Sequence, residues 1–493
     1  MKSARHARQG VRRTLRRTAL MALVVLCGAW ISMAVYHTVK PLPEGVSMAM
    51  PERVAGEARF LADDTWVDRN GARRMDHRTF DRVLELIDGA ERLVVLNMFL
   101  FNDFAGDVEG DDMRPLSDEV TAALVAKKRA YPSMPVVLIT DPMNTVYGGV
   151  TNDNLQRLEA AGVEVVVARL EALRDSNPVW SGLWRICCQW LGDAPGSGWL
   201  PNPVGEEAVP LRSLLKMLNF KANHRKTLIV DAPDGWTGLV TSANPHDASS
   251  AHSNSGVEFP GPAALDLLDT ERAVLRFSQA EIDLPAREEL ADIPAGEGSA
   301  RIQVLTESAI LARVLSVLDG AESGDTLDLA MFYLSHRDIV DALQAAHRRG
   351  VAVRVLLDPN IAAFGREKDG VPNQPVAAEL AQAGVPVRWC TTTGEQCHSK
   401  FLLYRAADGG AELMVGSANY TRRNLDDLNL ETSVRICADP DAAVMRDAVD
   451  FFERRWQNTP ERVYSLPFEE HGDAGWLRYW QYRLMEGSGM STF

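Results

Sequence analysis

Residues 224–231 read His-Arg-Lys-Thr-Leu-Ile-Val-Asp, and residues 398–405 read His-Ser-Lys-Phe-Leu-Leu-Tyr-Arg. Each stretch is followed by a turn that contains Ser-Ala-Asn, at residues 242–244 and 417–419. Each half of the chain therefore carries one imidazole, one ammonium group and one amide in the same order. We expect these two half-sites to form a single active site across a pseudo-twofold axis. Its cationic and amide groups fit a phosphodiester.

The repeat extends to a whole domain. Three further segments recur in the same order, namely residues 94–100 with 327–333, 136–142 with 353–359, and 158–163 with 380–385. This period is too long for a solenoid. Strand-like apolar runs alternate with helix-like stretches, which predicts βα units and a mostly parallel sheet in each half. The predicted fold class is α/β, with two tandem domains.

The spacing within each motif indicates what its side chains do. Residues two apart in a strand point to the same face, so His224 and Lys226 face one pocket, as do His398 and Lys400. Two ammonium groups and two amides can neutralise phosphoryl oxygens. One imidazole can attack phosphorus, while the other protonates the leaving alkoxide and then deprotonates water or an alcohol. This chemistry requires no metal or cofactor. The predicted substrate-binding residues are Ser242, Asn244, Ser417 and Asn419.

These motifs resemble those of the phospholipase D superfamily, whose signature is His-x-Lys-x4-Asp followed by Gly-Ser-x-Asn. The resemblance covers about residues 74–456, and it is closest to bacterial cardiolipin synthases and related membrane phospholipases. It implies a phosphohistidine intermediate in which His224 is the nucleophile and His398 the general acid. Two carboxylates, Glu258 and Glu431, follow the Asn residues at the distance where the family has a carboxylate that orients a His. We therefore expect both to belong to the catalytic machinery.

The sequence departs from the family signature at two positions. Arg405 stands where the second motif should end in Asp, and Gly256 stands where Asn429 precedes Glu in the second half, with Asn254 two residues earlier. Asp231, which ends the first motif, is a catalytic residue by resemblance. Since Arg405 occupies its counterpart, the alternative is that Asp231 stabilises the end of a strand.

Two other aspartates, Asp141 and Asp358, precede proline at predicted strand ends, where turn formation is the expected role.

Composition bounds the class of protein. A chain of 493 residues is long enough for two domains with proper cores. The net charge is −15, although the first 40 residues hold eight Lys or Arg and no acidic residue. That acidity disfavours broad nucleic-acid binding, which depends on many basic contacts. We predict domains at residues 1–40 (tail and anchor), 41–290 and 291–493, joined by a linker at 285–299.

The N-terminus predicts the location of the protein. Seven basic residues precede an uncharged apolar run at residues 20–36, which favours an uncleaved transmembrane signal anchor. A cleaved signal peptide with Ser32-Met33-Ala34 before the cut is the alternative. By the positive-inside rule the tail stays cytoplasmic and the catalytic domains lie on the extracytoplasmic, periplasmic side. In an oxidising compartment Cys390 and Cys397 are expected to pair.

An insertion distinguishes the two halves. The first repeat spends over 50 residues between residues 167 and 224 where the second spends about a dozen. This insert, at about residues 171–215, is rich in Trp, and its residues 180–191 form an apolar stripe at helical spacing. Two interpretations stay open, either packing in the core or a lid or interfacial helix that enters the lipid headgroups.

Three functional classes follow from these observations. The first is a membrane enzyme acting on phospholipid, either a phosphatidyltransferase of the cardiolipin synthase type or a hydrolytic phospholipase D. The anchor, the aromatic insert and the acidic body favour it, with phospholipid and membrane as partners. The second is a membrane-tethered or secreted nuclease of the same superfamily. The third is a non-enzymatic descendant. Oligomeric state stays open, because a monomer suffices for the site.

Overall fold

The computed structural model describes residues 2–104, 113–192, 195–202, 204–233, 235–290, 298–363, 366–472, 475–491 and 493. Up to residue 290 the elements are α1 (Lys2–Val39), β1 (Arg53–Ala55), β2 (Arg59–Val67), β3 (Arg73–Asp76), α2 (Thr79–Gly89), β4 (Val94–Met98), α3 (Leu116–Ala130), β5 (Val136–Thr140), α4 (Asp153–Ala160), β6 (Glu164–Val167), α5 (Pro178–Cys187), α6 (Leu211–Met217), β7 (Lys226–Ala232), β8 (Gly235–Thr241), β9 (Asn254–Pro260), α7 (Pro262–Phe277) and α8 (Arg287–Leu290). Beyond it they are β10 (Ala300–Thr306), α9 (Ser308–Gly320), β11 (Thr326–Met331), α10 (Arg337–Arg348), β12 (Ala352–Leu357), β13 (Ala362–Ala363), β14 (Arg366–Glu367), α11 (Asn373–Gln382), β15 (Val387–Cys390), β16 (Lys400–Arg405), β17 (Ala411–Gly416), α12 (Arg422–Leu425), β18 (Thr432–Ala438), α13 (Ala443–Gln457), β19 (Ser465–Pro467) and α14 (Gly475–Ser488).

Two large sheets confirm the α/β class and the duplication. The first has the order β3-β2-β9-β8-β7-β4-β5-β6, and the second β1-β10-β18-β17-β16-β11-β12-β15-β19. Seven consecutive strands of one sheet thus match seven of the other, from β2 and β10 at one end to β6 and β15 at the other. In both sheets a His-x-Lys motif leads into the middle strand of this set, β7 or β16.

The prediction of mostly parallel sheets is wrong. In the first sheet only β4–β5 and β5–β6 pair in parallel, and in the second only β11–β12 and β12–β15 do so. The other described pairs are antiparallel, because helical crossovers connect only these strands, whereas β7 and β8 follow one another directly across a tight turn. The helix-like stretches of the sequence therefore predict parallel pairing only for the strands that they connect, and not for the rest of each sheet.

A shared core holds the two halves together. The inner faces of both sheets and the helices α7 and α13 contribute to one apolar cluster, exemplified by Val95, Leu267, Phe401 and Phe451. The outer faces are covered by α2, α3 and α4 in the first half and by α9, α10 and α11 in the second. The face-to-face arrangement places the ends of β7 and β16 near each other.

The domain boundaries stay a prediction. Strand β1, which we assigned to the first domain, pairs with β10 in the sheet of the second half. Residues 291–297 of the predicted linker lie outside the described residues.

Helix α1 and the insert pack against each other. A span of α1, Gly10–Val39, is long and apolar enough to cross a membrane. Its Trp30 indole donates a 2.9 Å hydrogen bond to the carbonyl of Val179 in α5. A Cβ at Gly182 would lie 3.0 Å from the Trp30 ring and 3.2 Å from the Ala34 nitrogen, so a larger residue there would push α1 and α5 apart by a few tenths of an ångström. The insert therefore contacts the apolar part of α1.

Candidate active site

The first His-Lys pair lies where the chain enters β7. His224 Nδ1 is 2.9 and 3.0 Å from the two carboxylate oxygens of Glu431. Its backbone nitrogen donates to the carbonyl of Leu430 at 2.9 Å. The Lys226 ammonium donates to the carbonyl of His224 at 2.7 Å. Because a carboxylate only accepts, His224 carries its proton on Nδ1 and keeps the Nε2 lone pair for attack.

The second pair repeats this arrangement at the start of β16. His398 Nδ1 lies 3.3 Å from Asn254 Oδ1, and its backbone nitrogen donates to the carbonyl of Ser253 at 2.8 Å. Lys400 Nζ donates to the carbonyl of His398 at 2.7 Å. Here the acceptor of the Nδ1 proton is a neutral amide oxygen instead of a carboxylate.

Each imidazole is thus held by the opposite half of the chain. Residues 430–431 of the second half support His224, and residues 253–254 of the first half support His398. Short parallel bridges, Asn223 with Leu430 and Ser253 with Cys397, connect the halves at these points. Both imidazoles line one cavity of about 320 Å³, together with the amides of Asn244 and Asn419. The two half-sites therefore form one site.

Glu258 is not part of this site, which corrects our expectation. It forms a two-pronged ion pair with Arg82, at 2.7 and 2.8 Å. The strand registers explain the error, since Thr241 pairs with Gly256 and Gly416 pairs with Ser433. Asn254 lies two residues before Gly256, and Glu431 lies two residues before Ser433. Asn254 is therefore the counterpart of Glu431.

The serines of the Ser-Ala-Asn turns hold the groups that contact the imidazoles. The Ser242 hydroxyl donates to Asn254 Oδ1 at 3.0 Å, and the Ser417 hydroxyl donates to Glu431 Oε2. The two serines we expected to bind substrate therefore contact the residues that orient the imidazoles. The Asn244 side-chain oxygen accepts from the Leu100 nitrogen at 3.2 Å, and this fixes its amide at the cavity wall.

Asp231 lies at the far end of β7 from Lys226. Its carboxylate accepts hydrogen bonds of 2.8–3.2 Å from the backbone nitrogens of residues 91, 92 and 93. It thus stabilises the chain entering β4, and its assignment as a catalytic residue is corrected. Arg405, at the corresponding strand end, pairs with Asp328 at 3.1 Å. The structure supports the strand-end alternative.

Asp141 and Asp358 have a role beyond the turn formation that we expected from the sequence. The buried Asp141 carboxylate accepts from the nitrogen of Asn223, the residue before His224, at 2.7 Å. Asp358 accepts from the nitrogen of Cys397, the residue before His398, at 2.8 Å. Burial raises the pKa of Asp141 to about 7 and that of Asp358 to about 6. These residues position the two motifs as well as forming turns.

Two phenylalanines were also missed, although they lie in the repeated segments. The Phe99 ring centroid is 4.9 Å from that of His224 and 5.0 Å from Lys226 Nζ. Phe332 has the same relation to His398 and Lys400, at 5.0 and 5.1 Å. The ring faces attract the ammonium groups and restrict the imidazoles. Phe99 and Phe332 occupy equivalent positions in the repeated segments 94–100 and 327–333, and this equivalence could have identified them from the sequence.

Burial sets the protonation of the site. It lowers the pKa of His224 to about 4 and that of His398 well below its usual range. It also lowers the pKa of Lys226 to about 7, and that of Lys400 strongly. Burial alone would raise the pKa of Glu431, but the charge of His224 and its hydrogen bond outweigh that effect and lower it. Glu431 is therefore the anion that accepts the hydrogen bond from His224 Nδ1.

The expected disulfide is present next to the site. Cys390 at the end of β15 and Cys397 are bonded, with their Cα atoms 6.2 Å apart. The bond joins the residue before His398 to the second sheet. A second bond links the adjacent residues Cys187 and Cys188 in the insert.

Two His-Lys pairs on matched strands define a class of phosphodiester-cleaving or phosphatidyl-transferring enzymes. A family model described as "Cardiolipin synthase, PLD-like domain" matches residues 314–456. Mitochondrial cardiolipin hydrolase of Mus musculus is 26% identical over 200 residues, covering 41% of this chain and 82% of the relative. The Xenopus laevis protein of the same name is 31% identical over 161 residues, covering 33% and 67%.

The fold comparison extends over nearly the whole chain. Phosphatidylserine synthase of Haemophilus influenzae Rd KW20 superposes with a TM-score of 0.56 at 11% identity, covering 89% of this chain and 94% of that one. At this identity the likeness concerns the fold alone. Together with the sequence matches, it shows that the chain belongs to the phospholipase D superfamily and is an enzyme of the phosphodiesterase or phosphatidyltransferase class.

Proposed function

We propose that the protein cleaves or transfers the phosphodiester of a membrane phospholipid through a phosphohistidine intermediate on His224. The observation that carries this proposal is the asymmetry between the imidazoles, one beside the Glu431 carboxylate and the other beside the Asn254 amide. The similarity to proteins named cardiolipin hydrolase and to a family model named for cardiolipin synthase supports a phospholipid substrate.

The asymmetry assigns different roles to the two imidazoles. As His224 Nε2 bonds to phosphorus, its ring becomes cationic, and the Glu431 carboxylate stabilises that charge. His398 has no anion at Nδ1, and the negative charge of a bound phosphodiester is what favours its protonated form against the effect of burial. Its imidazolium is therefore the stronger acid and gives up its Nε2 proton readily. The resemblance assigned the same roles, whereas the sequence motifs themselves are symmetric.

The reaction then proceeds in two displacements. In the first, the His224–phosphorus bond forms, the bond from phosphorus to the leaving oxygen breaks, and His398 protonates that oxygen. In the second, neutral His398 takes the proton of water or an alcohol, whose oxygen bonds to phosphorus as the His224 bond breaks. The charge of the bound phosphodiester favours the protonated forms of Lys226 and Lys400. Their ammonium groups and the amides at the cavity wall then stabilise the oxyanion. Water gives hydrolysis and an alcohol gives transfer.

The N-terminal helix supplies the membrane context of the proposal. We propose that α1 is an uncleaved anchor, with its basic end cytoplasmic and the two sheets on the extracytoplasmic side. The contact between α5 and the apolar part of α1 supports it, because this contact holds the folded body against the membrane surface.

Substitution of the two imidazoles tests the proposal. We expect His224→Ala to abolish turnover and any covalent phosphoenzyme. His398→Ala should slow turnover about 100-fold or more, yet still form a phosphoenzyme with a substrate whose leaving group needs no proton. Mass spectrometry of lipids from cells that overexpress wild type or His398→Ala identifies the substrate, and activity should survive EDTA.

Two results would reject the proposal. Loss of activity in EDTA that added zinc or magnesium restores would contradict the metal-independent mechanism. Cleavage of oligonucleotides, with no change in any phospholipid, would favour the nuclease alternative.

A further inference from the structure

The wall of the active-site cavity carries two cationic side chains outside the His-Lys motifs, Arg423 at the start of α12 and Lys368 just after β14. In a chain with 67 acidic and 52 basic residues, cations near the surface readily find carboxylates. A third basic residue of the same wall, Lys221, pairs with Asp175 at 2.8 Å. These two do not.

The partners of Arg423 are few in the described part of the chain. One guanidinium nitrogen donates to the carbonyl of Ser491 at 3.2 Å, and the buried Nε has no hydrogen-bond partner. It forms no ion pair there, whereas its neighbour Arg422 pairs with Asp426 at 3.8 Å. This half-buried guanidinium has a buried Nε without a hydrogen-bond partner, and its planar fork matches a phosphate or carboxylate.

Lys368 is an exposed residue that lies beside Tyr333 at the cavity wall. Its ammonium donates to the Tyr333 hydroxyl at 2.5 Å and lies 5.2 Å from the ring centroid. It too forms no ion pair among the described residues. Tyr333 and Arg423 line the same cavity, and Tyr333 directly follows Phe332, which contacts His398. The two free cations therefore share a cavity with the reacting groups but belong to neither His-Lys pair.

We infer that Arg423 and Lys368 form a second anion subsite, which binds a further phosphate or carboxylate of the substrate while Lys226 and Lys400 bind the reacting phosphate. This inference rests on the proposed function and narrows it. The preferred substrate is a phospholipid whose headgroup carries an additional negative charge, or one whose acceptor is a phosphorylated alcohol. A zwitterionic headgroup would place its own cation against these two side chains.

The test compares lipids that differ in their number of phosphates. Full-length protein is assayed in neutral detergent micelles with cardiolipin, which has two phosphates, and phosphatidylglycerol, which has one. We expect Arg423→Gln with Lys368→Gln to lower kcat/KM for cardiolipin about tenfold or more, since charged hydrogen bonds are lost. The value for phosphatidylglycerol should stay within about twofold. Arg422→Gln, which alters an adjacent but paired cation, is the matched control and should leave both unchanged.

Calorimetry with glycerol 3-phosphate separates this inference from the proposed function. Wild type should bind two equivalents and the double variant one, whatever lipid the enzyme turns over, and competition with cardiolipin tells a lipid headgroup from a soluble anion. One equivalent in both proteins, or equal losses on both lipids at an unchanged thermal midpoint, would overturn the subsite. If wild type turns over no phospholipid but binds two equivalents, the proposed function fails and the subsite stands.

Discussion

At the scale of single residues, the most informative difference is a carboxylate against an amide at equivalent positions. Glu431 and Asn254 each receive a hydrogen bond from a serine of the Ser-Ala-Asn turn and each meets the Nδ1 of one imidazole. One acid-base pair and one neutral pair break the symmetry of the repeat. The two halves can therefore hold the same residues and still perform different steps.

Exchanging these two groups tests their roles. Glu431→Gln removes the anion that stabilises the cationic His224, so we expect kcat to fall about 100-fold, roughly 3 kcal/mol. The reciprocal Asn254→Asp places an anion beside His398 and raises the pKa of its imidazole. Since a protonated His398 is needed, the alkaline limb of the pH–rate profile should move to higher pH. Profiles of both variants, with Ser242→Ala as control for loss of the serine contact alone, decide the matter. An unmoved limb in Asn254→Asp would contradict the assignment of His398 as the acid.

The residues of the motifs could be predicted from the sequence because they occur twice. His224 and His398 were found in this way, and so were both lysines. Asn254 was not, because it lies 10 positions after Asn244 whereas Glu431 lies 12 positions after Asn419, and Glu258 is the first acidic residue beyond it. Asp141 was missed for another reason: its partner is a backbone nitrogen, which leaves no trace in the identity of any residue.

At the scale of elements, carboxylates hold the ends of β7 and β16 that lie away from the His-Lys pairs. Asp231 accepts from three consecutive backbone nitrogens before β4, while β16 ends in an ion pair between Arg405 and Asp328. The two halves thus fix equivalent strand ends by different means. This explains why the second motif can end in Arg.

Asp231→Ala tests this structural role. Leaving the backbone nitrogens of residues 91–93 without their acceptor, that of Leu93 being buried, should lower the free energy of unfolding by about 2 kcal/mol. Turnover per folded molecule should not change, because the carboxylate is remote from the cavity. Denaturant unfolding measures the first quantity, and activity corrected for the folded fraction measures the second. A large loss of turnover at full folding would return Asp231 to the catalytic residues.

The insert illustrates where periodicity misleads. Residues 180–191 were expected to form one apolar stripe, yet Trp184 is buried while Leu183 is exposed. The Trp180 indole donates to the carbonyl of Leu215 at 2.9 Å, so it is fixed inside the insert. Spacing alone could not tell which side faces α1, because α1 is far away in sequence.

At the scale of the whole molecule, the insert that contacts α1 also carries exposed aromatic residues. Trp190 is 77% exposed and Trp199 71%, whereas Trp184 is 8% exposed. Under the proposed function these two side chains, and not the buried Trp184, meet the lipid headgroups. Tryptophan is favoured there because its ring is apolar and its nitrogen polar.

Replacement of Trp190 and Trp199 by Ser should reduce turnover of lipid in reconstituted vesicles roughly tenfold, through loss of apolar contact. Turnover of a short soluble phosphodiester and the thermal midpoint should stay the same. Trp184→Ser is the matched control and should lower the midpoint and both activities, because this residue is packed inside. Equal loss on both substrates in the double variant, at an unchanged midpoint, would favour a lid over the cavity instead.

Each half of the chain supplies the residue that contacts the imidazole of the other half, Glu431 for His224 and Asn254 for His398. This arrangement has a consequence for the order in which the chain is synthesised. A growing chain that has delivered its first 290 residues already carries His224, but the glutamate that activates it lies 207 residues further on. His398 likewise waits for the earlier half to fold before its amide partner is in place. Under the proposed function, a partly synthesised chain therefore holds an incomplete site and leaves lipids uncleaved. The active site is complete only when both halves have folded together.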